Sequence, residues 1–310
     1  MTEIEIENAL LEAQCKFYGV GVALVTPFYQ DLNIDYPALL RLIEFVSTNG
    51  ADYLVVQGTT GETSTTTAQE KLDLLKFVIE SNENTPRKLP IVYGLGGNNT
   101  QVVLDTIKST DLTGVDAILS VCPYYNKPSQ RGLIAHFTAI ADASPVPVIL
   151  YNVPGRTVTN INASTVIELA QHPNIIGIKD ACGNFDQYMA ISKGRPKGFF
   201  LISGDDNHVT PMMSVGWNGV ISVLANAFPR EFREMTQCAQ EERFRDAMKI
   251  QRKFLDFDDL LYVESNPVGI KKCLEIKGIC GSEVRLPLVK ASDELEQKLR
   301  ELMKKEKLKF

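Results

Sequence analysis

Histidine is scarce in this chain: its 310 residues include only His136, His172 and His208, and none stands four residues from another. A zinc site built on one helical face needs such a pair, and a thiolate site needs closely spaced cysteines. The six cysteines, Cys15, Cys122, Cys182, Cys238, Cys273 and Cys280, contain no C-x-x-C pair. Three ordinary histidines, no metal and no cofactor are therefore expected. Cysteines scattered through so long a chain read as reduced thiols of a cytosolic protein rather than as a disulfide framework. Positive charge is also in deficit. Thirty-two Lys and Arg against 38 Asp and Glu leave a net charge of -6, which argues against nucleic acid or an anionic membrane as a partner. No run approaches the ~18 consecutive apolar residues of a membrane span. The opening MTEIEIENALLEAQ is acidic where a signal peptide is basic, so a cytoplasmic location without export is expected.

What is present is one unit, repeated. Apolar, β-branched runs begin near Gly19 (GVGVALVTPF), Asp52 (DYLVVQG), Pro90 (PIVYGLG), Ala117 (AILSVCPYY), Pro147 (PVILYNVP), Ile175 (IIGIKDA), Phe199 (FFLISGDD) and Gly219 (GVISVLAN). Between them, segments such as 36–46 and 69–79 carry apolar residues three and four apart, as a helix covering a sheet requires. Strands that are apolar almost throughout are buried on both faces, which means a parallel sheet. Eight such units predict a (β/α)₈ TIM barrel with a C-terminal helical appendage. Its parts are an N-terminal extension over 1–18, the barrel over 19–228, and the last barrel helix with a helical region over 229–310. An open doubly wound sheet is the rival, but G-x-G-x-x-G is absent after the first run. From Pro229 onward the chain reads as helical apart from the break at Asn266-Pro267-Val268-Gly269, and the charged end KKEKLKF reads as a frayed tail.

Barrel chemistry sits at the C-terminal strand ends. The second run ends in Gln57-Gly58-Thr59-Thr60-Gly61-Glu62-Thr63-Ser64. Its glycines and hydroxyls at a helix start suit a carboxylate or phosphate, and equally suit an ordinary capping loop. The fourth and fifth runs end in Cys122-Pro123-Tyr124-Tyr125-Asn126 and Tyr151-Asn152-Val153-Pro154-Gly155-Arg156. Phenols there either pack or relay protons, and an arginine fork can hold a carboxylate in bidentate fashion.

The sixth run contains Lys179 after three isoleucines and a glycine. Neighbours along a strand point to opposite faces, so Asp180 cannot easily pair with it. A desolvated amine holds its proton less firmly, which leaves a neutral fraction able to attack a carbonyl. Lys179 is thus a candidate Schiff-base nucleophile; the alternative is a lysine whose stem runs out to water.

The residues Gly58-Thr59-Thr60-Gly61-Glu62, Pro123-Tyr124-Tyr125-Asn126, Tyr151 to Thr157, Ile176-Gly177-Ile178-Lys179, Ser203-Gly204-Asp205-Asp206 and Gly219 to Val223 follow one another at strand ends. In that order they closely resemble the dihydrodipicolinate synthase family, among the pyruvate-dependent Schiff-base aldolases that include N-acetylneuraminate lyase. The likeness spans roughly residues 17 to 290. It implies that Lys179 forms an imine with pyruvate and that the resulting enamine attacks L-aspartate 4-semialdehyde, in diaminopimelate and lysine biosynthesis. By the same resemblance Thr60 holds the pyruvate carboxylate, and Thr59, Tyr151 and Tyr125 form a proton relay, Tyr125 being lent by a neighbouring subunit. Arg156 receives the carboxylate of the semialdehyde, and Gly204 and Ile221 shape the floor around the lysine. A homo-oligomer, at least a dimer and usually a tetramer in the family, is implied as well. Neuraminate lyases generally lack an arginine after the Y-N-x-P element, so Arg156 favours a small acidic aldehyde. A related aldolase or dehydratase acting on sugar acids is the second reading, and a non-catalytic sensor of small acids the third.

Lysine-inhibited members of the family use an asparagine, a glutamate four residues later, histidine-type groups and the first tyrosine of the Tyr-Tyr pair. Asn98 and Tyr124 match, but Val102 stands in place of the glutamate, and Ala68 and Lys71 stand where histidines often occur. A lost carboxylate and an added cation repel an ammonium effector. A turnover assay with millimolar L-lysine should therefore show weak inhibition or none; strong inhibition contradicts the reading of Asn98, Tyr124 and Lys71.

Overall fold

A computed structural model describes residues 16–308. The eight apolar runs form strands β1 (Gly19–Ala23), β2 (Tyr53–Val56), β3 (Ile91–Gly94), β4 (Ala117–Val121), β5 (Val148–Asn152), β6 (Ile175–Asp180), β7 (Phe200–Ser203) and β8 (Gly219–Ser222). Each pairs in parallel with the next, and β8 returns to β1, closing the barrel. Closure removes every sheet edge, which suits strands this apolar.

The outer ring begins with α1 (Tyr36–Thr48), α2 (Ala68–Glu83), α3 (Thr100–Ser109) and α4 (Gln130–Ala143). Their starts are set by side chains: Asp35 accepts from Ala38 N, and Thr67 and Glu70 form a capping box. The ring continues with the single turn α5 (Pro154–Thr157), then α6 (Ala163–Leu169), α7 (Phe185–Gly194), α8 (Val209–Ser214) and α9 (Pro229–Gln240). The C-terminal region adds α10 (Phe244–Val263), α11 (Val268–Ile276) and α12 (Asp293–Lys305). No helix among the described residues is long and apolar enough to cross a membrane.

Two buried clusters divide the strand residues. Val22, Leu54, Ile118, Leu150, Ile175, Ile178 and Leu201 pack outward under the helices. Ala23, Tyr53, Val55, Val92, Leu119, Ile149, Tyr151, Ile176, Phe200 and Ile221 fill the interior. Phe17, assigned to the N-terminal extension by its sequence position, belongs to that interior, its ring edge-on to Tyr53 and Phe200 at centroid distances of 5.4 and 5.7 Å. The rest of the extension, before Lys16, and Lys309 and Phe310 at the other end lie outside the described residues.

Strand β6 departs from simple alternation. Val148 pairs with Ile175, but the next residue, Ile149, pairs with Gly177, so Ile176 is an inserted residue. A β-bulge of this kind changes which face the following side chains occupy. Ile176 points inward, Ile178 outward, and Lys179 then turns into the interior beside Tyr151. Without the bulge, alternation from Ile176 would turn Lys179 toward the helices.

The C-terminal region differs from the helical reading over 277–292, which is irregular and folds back over the loop after β2. Lys271, fully buried, donates to Glu62 Oε1 and to the Glu283 carbonyl at 2.7 Å, with its Nζ 4.2 Å from the centre of the Phe28 ring. The other Glu62 oxygen accepts from Arg285 N at 3.0 Å, and the Arg285 guanidinium bridges to Glu70. The described part of KKEKLKF is ordered helix end rather than frayed tail. Lys307 takes a left-handed conformation, φ 55°, and Lys307 N and Leu308 N donate to the Lys304 and Met303 carbonyls. This terminating pattern buries Leu308.

Breaking a buried ion pair on one side strands the other charge. Lys271→Met should lower unfolding free energy by about 3–5 kcal/mol in urea titrations, and Lys271→Met with Glu62→Leu should recover part of the loss. A single variant as stable as the parent contradicts this role.

Candidate active site

At the C-terminal mouth of the barrel is a cavity of about 400 Å³ lined by Thr59, Thr60, Tyr151, Arg156, Lys179 and Gly204 among others. Six of the residues expected from sequence thus meet in one place. Lys179 is 6% exposed, and its Nζ stands 4.4 Å from the centre of the Tyr151 ring, its partner in register on β5. Asp180, facing the other way, accepts from Asn152 Nδ2 at 3.0 Å, Cys182 N at 2.9 Å and Gln187 Nε2 at 3.1 Å. Burial pushes its carboxyl up, opposed by these donors. The expected separation of Lys179 from Asp180 is therefore present.

Gly204 is required by the lysine itself. A Cβ there would lie 3.0 Å from Lys179 Cε and 3.0 Å from Ala181 Cβ, tighter than side chains normally pack. Ile221 is less directly placed: it is buried in the interior with Tyr151, and Val223 takes the cavity wall above it.

Thr59, Thr60 and Gly61 form a tight turn separate from α2, which has its own cap at Thr67. The first N–H used within the turn is that of Gly61, to the Gly58 carbonyl at 3.1 Å, so those of Thr59 and Thr60 lead the turn. Thr60 Oγ1 accepts from Asn266 Nδ2 at 3.1 Å, and Glu62, left-handed with φ 55°, anchors the far end to Lys271 and Arg285. Arg156 rides on α5 at the exposed rim. No hydrogen bond joins the Thr59 and Tyr151 hydroxyls among the described residues.

Tyr125 is not brought to the cavity. It follows β4 with φ 74° and is 89% exposed. Asn98, Tyr124 and Lys71 do meet, with Val102, around a neighbouring space of about 240 Å³; Asn98 Nδ2 donates to the Tyr124 carbonyl at 3.1 Å. Burial lowers the Lys71 ammonium. Ala68, at the exposed start of α2, does not line it.

Sequence reasoning missed the fourth wall. Asp258 and Tyr262 of α10, and Asn266 after it, line the same cavity as Lys179. Burial, then the charges of Asp206 and Asp205, push the Asp258 carboxyl up to about 8. Burial raises Asp206 to about 6 and raises the Tyr262 phenol as well. Asp258, Tyr262 and Asn266 recur every four residues, a signal that was present but looks like any polar helix face.

The dihydrodipicolinate synthetase family model matches residues 16–306. The chain is 51% identical over 283 residues to 4-hydroxy-tetrahydrodipicolinate synthase of Cytophaga hutchinsonii, covering 91% of this chain and 94% of that one. It superposes on the dihydrodipicolinate synthase of Aquifex aeolicus with a TM-score of 0.89 at 40% identity, over 94% and 99% of the two chains. The chloride-inhibited enzyme of Acinetobacter baumannii, solved in complex with pyruvate, matches with a TM-score of 0.90 at 36% identity, over 94% and 99%. With the matched segment running through every element of the barrel and on into α12, the chain belongs to the dihydrodipicolinate synthetase family.

Proposed function

We propose that this chain is a lyase that condenses pyruvate, held as a Schiff base on Lys179, with L-aspartate 4-semialdehyde to give 4-hydroxy-tetrahydrodipicolinate. The observation that carries the site assignment is the inward turn of Lys179, buried beside Tyr151 in a cavity that also holds Thr60 and Arg156.

The neutral Lys179 amine attacks C2 of pyruvate, and loss of water leaves the imine. Thr60 and the leading N–H groups of its turn hold the pyruvate carboxylate. A protonated imine nitrogen draws electrons from the methyl group, so a proton can leave C3 without help from a metal. The enamine then forms a carbon–carbon bond to the aldehyde carbon of the second substrate, whose oxygen takes up a proton, and the substrate's amine closes the ring and releases Lys179. Tyr151 stands nearest the imine and serves as the acid and base. A phenol with pKa near ~10 needs a hydroxyl chain to carry its proton, which Thr59 and Tyr125 supply. Arg156 at the rim receives the carboxylate of the semialdehyde.

Tyr125 takes part only if a second copy brings it to this cavity, so we infer a homo-oligomer, at least a dimer. Its exposure in the single chain fits that reading. A monomer in sedimentation velocity at assay concentrations would remove Tyr125 from the relay. The cytoplasm is the compartment proposed, and the pathway is lysine and diaminopimelate biosynthesis.

A substrate assay tests this function. With pyruvate, L-aspartate 4-semialdehyde should turn over and N-acetylneuraminate should not be cleaved; the opposite pattern assigns the chain to another branch. Arg156→Ala should lower kcat/KM for the semialdehyde by on the order of 10²-fold while leaving the KM for pyruvate nearly unchanged.

A further inference from the structure

The cavity that holds Lys179 adjoins a second space of about 620 Å³, and Thr59, Tyr151 and Arg156 line both. The two are charged differently. Asp205 and Asp258 line the first. Burial raises the Asp205 carboxyl, but His208, its Nδ1 2.9 Å from Asp205 Oδ2, brings it below its ordinary value, so Asp205 is an anion at neutral pH. Among the described residues no aspartate or glutamate lines the second space, whereas Lys71 and Arg156 both do.

Neither cation is compensated within the chain. No ion pair or side-chain hydrogen bond joins Lys71 or Arg156 to another described residue. Lys271, Lys272 and Arg285, by contrast, each meet a carboxylate. Lys71 is partly buried and stands near the start of α2, where the helix dipole also disfavours a positive charge. In a chain of net charge -6, two unpaired cations walling one concave space concentrate a positive potential there. An anion approaching Lys179 is therefore attracted on the side of Lys71 and repelled on the side of Asp205.

The two substrates of the function proposed above, on which this inference rests, differ in charge. Pyruvate is an anion. L-Aspartate 4-semialdehyde carries an ammonium with its carboxylate and has no net charge. We propose that pyruvate reaches Lys179 from the Lys71 side, and that Lys71 is a positioning residue that draws this anion toward the Thr60 turn by its charge, without touching the reacting atoms. The zwitterion, being neutral overall, is not drawn in this way. The state of Lys71 fits the role: burial lowers its ammonium, and an arriving carboxylate favours the charged form that burial disfavours.

The test measures kcat and the KM of each substrate for the parent and Lys71→Met at ionic strengths of about 0.02 M and about 0.5 M, between which the Debye length falls from roughly 20 to roughly 4 Å. At low salt Lys71→Met should raise the KM for pyruvate about fivefold, with kcat and the KM for the semialdehyde within about twofold of the parent. At high salt the difference in pyruvate KM should close to within about twofold. Lys71→Arg, which keeps the charge, should keep the parent's low-salt KM, and Lys71→Glu should raise it further than Lys71→Met does. A pyruvate KM unchanged in Lys71→Met, raised equally with that of the semialdehyde, or raised by the same factor at both salts overturns the proposal. Lys71 has no partner to strand, so the variants should share the parent's thermal midpoint; Lys71→Gln carries the same comparison if Lys71→Met does not fold. A parent enzyme that turns over no semialdehyde with pyruvate removes the proposed function itself, whereas turnover with a pyruvate KM indifferent to Lys71 removes this inference alone.

Discussion

An eight-stranded barrel has an interior just wide enough to be filled by side chains, so a polar group admitted there has no water to fall back on. Lys179 is such a group, and the architecture around it follows from keeping it there. The bulge at Ile176 turns it inward, Gly204 leaves room for its stem, and the Tyr151 ring lies against its end. Were it to point outward it would meet the apolar layer under the helices, at a cost with no chemistry in return. The lysine is therefore a destabilising residue that the fold tolerates at the one layer open to a ligand.

The C-terminal region completes that layer. Glu62, at the end of the turn that begins with Thr59, is held by Lys271 and Arg285 from beyond α10. Thr60 is held by Asn266. The turn's backbone is thus fixed from outside the barrel, by charged groups that would be costly to leave unpaired. The same region lends Asp258 and Tyr262 to the cavity. What first reads as an appendage is a wall of the cavity and a brace for the Thr59–Gly61 turn.

The strands were legible because each is an apolar, β-branched run, and all eight occur within a residue or so of where those runs begin. Lys179, Thr60, Tyr151 and Arg156 were legible because strand ends converge in a barrel. The bulge was not, since an inserted residue in an already apolar run leaves no mark on the pattern. Asp258 escaped for a different reason: its environment comes from Asp206 and Asn207, far away in sequence, and a lone aspartate on a polar helix resembles solvated surface. The ordered end at Leu308 was hidden in a lysine-rich stretch, where one left-handed residue tucks a single leucine back into the core.

The site stands or falls on whether the buried amine of Lys179 is the group that takes pyruvate. Incubation with pyruvate and borohydride, followed by peptide mass analysis, measures this directly. One reduced pyruvyl adduct per chain is expected, on the peptide containing Lys179, and its loss in Lys179→Arg. An unmodified Lys179 peptide, or an adduct on another lysine, would contradict it.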